Sequence, residues 1–135
     1  MPTRTPKQIV DEAYAAIMEH DDLDGFLRDF DDNSILVEAD CFPSGGRYQG
    51  KDAIASVFRH IVGLWDDFRL VIECRAYGDD CGVIYGTLTG VARATGKAIS
   101  MPIAEVWKIG DGKVRELIVV YGDSKQALDA LGAIG

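Results

Sequence analysis

Cysteine and histidine are scarce in this chain. The three cysteines, Cys41, Cys74 and Cys81, have no metal-type spacing, and their odd number does not suit a disulfide framework. Reduced thiols are expected. The two histidines, His20 and His60, lie too far apart in sequence to suggest a metal centre. No metal and no organic cofactor is predicted. Positive charge is also short: 14 lysines and arginines face 22 acids, a net charge of −8. That balance argues against nucleic acid and against an anionic membrane surface as partners. No apolar run is long enough to span a bilayer. The opening "MPTRTPKQIVDEAYAAI" lacks the unbroken apolar stretch and small-residue cleavage site of a secretory signal. A cytoplasmic protein is expected.

What is present is apolar and periodic. Apolar residues make up 47% of 135, enough for one folded domain over residues 1–135. Thr5 and Pro6 offer an N-cap and a first helical residue. Ile9, Val10, Ala13, Tyr14, Ile17 and Met18 then follow at helical spacing. Asp22 opens a second short helix carrying Leu23, Phe26, Leu27 and Phe30. "SILVEAD" predicts a strand, and "CFPSGGRYQG", with Pro43 and two adjacent glycines, predicts a loop. A third helix starts near Lys51, with Ile54, Val57, Phe58, Ile61 and Val62 as its apolar face. The period then changes to two. Residues 67–77, 82–93, 97–109 and 113–121 predict four strands joined by tight turns, and "SKQALDALGAIG" predicts a last helix. Helices first and antiparallel strands after them predict an α+β fold, with the helices packed on one face of a curved sheet.

One residue breaks the pattern. In "ISMPIAEVWKI", alternation sends Ile99, Met101, Ile103, Glu105, Trp107 and Ile109 to one face. An ionised carboxylate there is costly, so Glu105 is expected to hold a proton and to serve as a hydrogen-bond donor. Two other readings stand beside it: an exposed strand end, or an ion pair with Arg75 or Arg93. In "ILVEAD", Leu36, Glu38 and Asp40 share one parity. Glu38 or Asp40 is thus a candidate general base at a pocket mouth, or else part of a solvent-facing edge. Tyr14 places a hydroxyl in an apolar stripe, where it needs a partner.

Three stretches carry a family resemblance: "YAAIMEHDDLDGFLRDFDDNSILVEAD", "GGRYQGKDAIASVF" and "EVWKIGDGKVRELIVVYGD". Together they resemble the NTF2-like superfamily, in particular its SnoaL-like and ketosteroid-isomerase-like branch. The resemblance implies a cone: a strongly curved, mostly antiparallel sheet around the N-terminal helices, enclosing an apolar pocket. It also implies a homodimer.

Residue by residue, the resemblance puts Tyr14 at the place of an oxyanion-hole tyrosine. Glu105 takes the place of a protonated acid that is the second oxyanion donor, and Glu38 or Asp40 that of the general base. It places Ile103, Trp107, Leu117, Val119 and Tyr121 in the pocket wall. Phe30 and Phe58 stand where some relatives carry supporting tyrosines, and are expected to contact the ligand. In a branch that opens epoxides, an arginine lies between two acids; Arg47, Arg75 and Arg93 are the candidates. In a polyketide-cyclase branch a histidine assists, and His60 is the candidate.

The implied activity is cofactor-independent acid/base chemistry on a hydrophobic carbonyl compound, an isomerase or an aldol-type cyclase working through an enolate. Water activation against an epoxide in the same pocket is one alternative. A non-catalytic module binding a small molecule or a protein is the other.

Overall fold

A computed structural model describes residues 3–132. Helix α1 runs Pro6–His20. Thr5 caps it reciprocally: the Gln8 amide donates to the Thr5 hydroxyl, and the Thr5 amide donates to the Gln8 side chain at 2.9 Å. Asp21, in the left-handed region, ends the helix. The Asp22 side chain then accepts from the Gly25 amide at 3.0 Å and starts α2, Leu23–Phe26. This helix is shorter than the apolar spacing predicts. Leu27 and Phe30 lie beyond it in turns, yet both are buried.

The strands are β1 Ile35–Glu38, β2 Gly46–Gln49, β3 Trp65–Tyr77, β4 Cys81–Ala92, β5 Ala98–Gly110 and β6 Lys113–Tyr121. Helix α3, Lys51–Val62, separates β2 from β3, and α4, Ser124–Leu131, closes the described chain. Residues 133–135 of the predicted last helix lie outside the described residues. The sheet order is β2-β1-β6-β5-β4-β3; β1 and β6 run parallel and every other pair antiparallel. The sheet is curved and does not close, so the architecture is the expected α+β cone.

Two expectations need correction. The stretch read as a loop contains β2, a four-residue edge strand pairing Tyr48 with Leu36. Its glycines and Pro43 hid a strand too short to show a period. Conversely, β1 stops at Glu38, and Asp40 lies in the turn after it, exposed. Glu38 and Asp40 therefore do not share a strand face.

Curvature is written into β4. Its concave face carries Gly82, Ile84, Gly86, Leu88, Gly90 and Ala92, all buried. A Cβ on Gly82 would come within 2.9 Å of Val10 Cγ2, and one on Gly90 within 3.1 Å of the Phe68 ring. At Gly86 it would overlap the Val71 carbonyl of β3, next to the register shift between Ile72 and Cys74. Glycine there lets β3 fold over the helices. Gly86→Ala is expected to destabilise the protein by about 2–4 kcal/mol, because backbone atoms must move. Urea denaturation measures this; a loss below about 0.5 kcal/mol would show that β3 is free to shift.

Candidate active site

The helices fill the concave face with an aromatic cluster. Trp107, fully buried on β5, meets Tyr14, Phe26 and Phe30 at centroid distances of 5.6, 5.4 and 5.7 Å, all edge to face. Trp107 Nε1 donates to the Tyr14 hydroxyl at 2.9 Å. The Tyr14 hydroxyl in turn donates to Glu105 Oε1 in a very short hydrogen bond. Burial, then the Glu105 charge, push the Tyr14 hydroxyl well above its usual range. Burial also raises the Glu105 carboxyl, and the bond from Tyr14 offsets part of that rise. Glu105 is partly exposed, and that exposure is to a cavity of about 480 Å³ that it lines with Tyr14, Ile103 and Tyr121.

Among the described residues no arginine forms an ion pair with Glu105. Arg75 pairs with Asp11 at 2.7 Å, Arg93 with Asp66 at 2.9 Å and Arg47 with Glu116 at 3.2 Å. The ion-paired reading of Glu105 is therefore replaced by a tyrosine-bonded one. The water-activating arrangement, an arginine between two acids, is not formed by these three residues.

The second acid sits nearby on the same face. The parallel register sets Leu36 beside Leu117 and Val37 beside Ile118, so Glu38 lies one position on, next to Val119. Val119 pairs with Glu105 across β5. Glu38 and Glu105 thus flank Val119, two strands or about 10 Å apart at their Cα atoms. Glu38 is 2% exposed and accepts from the Tyr121 hydroxyl at 2.6 Å. Burial raises its carboxyl to about 7; the tyrosine bond works against this, and the charge of Glu105 adds to it. The Tyr121 hydroxyl is driven up by its own burial and then by Glu38.

The structure therefore brings Tyr14, Glu105 and Glu38 to one concave face and leaves Asp40 outside, in solvent. Phe58, Ile103 and Tyr121 line the cavity. Phe30, Trp107, Leu117 and Val119 do not; they are packed behind it, 0–6% exposed. Sequence reasoning missed two things. It took Trp107 for a wall residue, whereas its indole N–H fixes Tyr14. It also missed the Tyr121–Glu38 bond, whose only trace was a tyrosine on the inward parity of β6. His60 is exposed and lines a separate small space of about 40 Å³ beside Phe42 and Tyr121. Met18 and Val62, 47% and 52% exposed, line the larger cavity and form an apolar rim. Among the described residues no group of histidines, cysteines and acids is placed to hold a metal, and no helix is long and apolar enough to cross a membrane.

Comparison with known proteins places this arrangement. The backbone superposes on an NTF2-like protein from Burkholderia thailandensis with a TM-score of 0.88 at 28% identity, covering 96% of this chain and 98% of that one. A protein proposed to be a SnoaL-like polyketide cyclase, from Jannaschia sp. CCS1, superposes with a TM-score of 0.80 at 15% identity over 100% and 99% of the two chains. TerC co-crystallised with polyporic acid does so with a TM-score of 0.79 at 18% identity over 93% and 96%. The profile of the SnoaL-like domain matches residues 10–117. The chain belongs to the SnoaL-like family of the NTF2-like superfamily. No curated protein matches it.

A buried acid held near 7 carries a stability signature. Its ordinary value is near 4.5, so the folded state keeps the proton that the unfolded chain releases. Stability is then full below about 4.5 and falls as pH rises toward 7, by up to about 3 kcal/mol. Glu38→Gln is expected to remove this slope and to gain on the wild type above pH 7. Urea midpoints at pH 5 and pH 8 measure it; parallel losses in both proteins would place Glu38 in contact with water.

Proposed function

We propose that this protein is a cofactor-independent acid/base enzyme that stabilises an enolate of a hydrophobic carbonyl compound. The observation that carries the reading is the Trp107–Tyr14–Glu105 chain, which ends in a largely apolar cavity where Glu105 has a tyrosine partner in place of an ion pair. Burial favours the protonated form of Glu105. A ketone oxygen entering there would meet the Glu105 carboxylic acid as a donor, whose other oxygen holds the Tyr14 proton. That bond strengthens as negative charge grows on the ketone oxygen, so it favours the enolate over the ketone. In ketosteroid isomerase a protonated acid in an apolar site serves as an oxyanion donor in this way, and the same logic is applied to this cavity.

The proton removed needs an acceptor, and Glu38, which reaches the cavity through the Tyr121 hydroxyl, fits it better than Asp40. It stands on the concave face with its carboxyl at about 7, which makes it a usable base near neutral pH. Asp40, exposed in a turn, has no such setting. The family name of the Jannaschia protein and the polyporic acid bound by TerC support a hydrophobic, oxygenated ligand. An isomerised double bond or a closed ring both begin with this enolate.

Hydrogen–deuterium exchange at the α-carbon of 2-tetralone in heavy water, followed by NMR, tests the reading. The wild type is expected to accelerate exchange, more so as pH rises through about 7, where Glu38 ionises. Glu38→Gln is expected to lower the rate by about 10²-fold or more, and Tyr14→Phe by about 10²-fold. Binding of 2-tetralone without exchange would point instead to a non-catalytic binding module.

A further inference from the structure

Glu38 is placed to receive a proton, but nothing in the cavity touches it directly. It is 2% exposed and lines neither the large cavity nor the small one. Tyr121 lines both. Its hydroxyl reaches from β6 to the Glu38 carboxyl at 2.6 Å, and Phe42 holds its ring edge to face at a centroid distance of 4.8 Å. The tyrosine hydroxyl therefore stands between the acid and the ligand space. On the concave face its neighbours Leu36, Leu117 and Val119 are 0%, 0% and 6% exposed.

We propose that Tyr121 and Glu38 form a second polar anchor of the cavity, which takes a hydroxyl group of the ligand and passes its proton through the Tyr121 oxygen to Glu38. The proposal rests on the enolate-stabilising reading and adds the far end of the substrate to it. The hydrogen-bond inventory of a tyrosine fixes the chemistry. Its one proton is given to Glu38, so what it presents to the cavity is a lone pair. A ligand carbonyl finds no donor there; a ligand hydroxyl finds an acceptor.

The step balances. The ligand O–H breaks and its proton bonds to the Tyr121 oxygen. The Tyr121 O–H breaks and its proton bonds to the Glu38 carboxylate. The ligand is left as an oxyanion and Tyr121 remains neutral throughout. Run backwards, the same path protonates an alkoxide and leaves Glu38 ionised.

The other anchor, Tyr14 with Glu105, lies on the neighbouring strand. Tyr121 pairs with Ile103, two residues before Glu105, which puts the two anchors about 7–8 Å apart at their Cα atoms. Between them the cavity is walled by Phe58, Phe68, Leu70, Leu88 and Ile103. The fitting substrate has a flat apolar body, a ketone at one end and a hydroxyl at the other. If the body is conjugated, loss of the hydroxyl proton moves negative charge to the ketone oxygen, where the Glu105 donor stands. A proton taken at one end and an oxyanion held at the other then form a single push–pull reaction, a tautomerisation across the body.

A matched pair of probes tests this: 6-acetyl-2-naphthol and 2-acetyl-6-methylnaphthalene, which differ by a hydroxyl against a methyl group. Their dissociation constants are read by ligand fluorescence at pH 8. The wild type is expected to bind the naphthol about tenfold tighter, the usual worth of a hydrogen bond backed by a charged acceptor. Tyr121→Phe and Glu38→Gln are each expected to bring the ratio near one. A wild-type ratio below about two, a ratio retained in Tyr121→Phe, or no binding of either probe would overturn the proposal. Tyr14→Phe separates the two readings. Weaker binding of both probes by the same factor supports the ketone end at Glu105. No effect of Tyr14→Phe, with the Tyr121-dependent ratio intact, would remove the enolate reading and leave the second anchor standing.

Discussion

The arrangement turns on one electrostatic constraint: two carboxyl groups on a concave apolar face with no cation to neutralise either. Burying an unpaired carboxylate is costly, so each group is driven toward its protonated form and toward hydroxyl partners. Both partners are tyrosines, Tyr14 for Glu105 and Tyr121 for Glu38. A tyrosine suits the task because its ring belongs in the apolar layer and its single hydroxyl reaches past it. Three arginines are paired elsewhere: Arg4 with Asp29, Arg75 with Asp11 and Arg93 with Asp66.

The fold serves this constraint. Glycines on the concave face of β4 let β3 wrap over the helices, and the wrapped sheet encloses the space that Glu105 faces. The aromatic cluster around Trp107 then fixes Tyr14 from behind. Without the indole donor the Tyr14 hydroxyl would be free to rotate. With it, an oxygen lone pair is occupied and the proton is aimed at Glu105. Rigid positioning of this kind is what gives a hydrogen-bond donor catalytic value, since no reorganisation is needed as charge develops.

Much of this was legible in the residues, and what escaped has physical reasons. Period-two alternation revealed β3 to β6 and singled out Glu105 as an acid among apolar neighbours, because one buried face imposes a strict pattern. Tyr14 stood out for the same reason in a helical stripe. Short elements were illegible: β2 is four residues at a sheet edge, and α2 is a single turn held by the Asp22 cap. Glu38 and Asp40 could not be told apart, since parity cannot say where a strand stops. Pairs far apart in sequence were hidden altogether. Tyr121 and Glu38 are separated by 83 positions, and only the parallel join of β1 to β6 brings them together.

That parallel join explains how two acids of one kind acquire different roles. Glu105 sits in the middle of β5, where the cavity reaches it and its bond to Tyr14 leaves it able to face a ligand. Glu38 sits at the end of β1, sealed by Tyr121 and by the side chains of β6. The two sites also feel one another across Val119, and the charge of Glu105 raises the Glu38 carboxyl further. Two like charges on one dry face repel, so ionising one discourages ionising the other. Glu105 meets its hydroxyl partner at the cavity wall, whereas Glu38 meets its own behind that wall. The donor and acceptor roles proposed for the two acids thus rest on their positions, without any difference in side-chain chemistry.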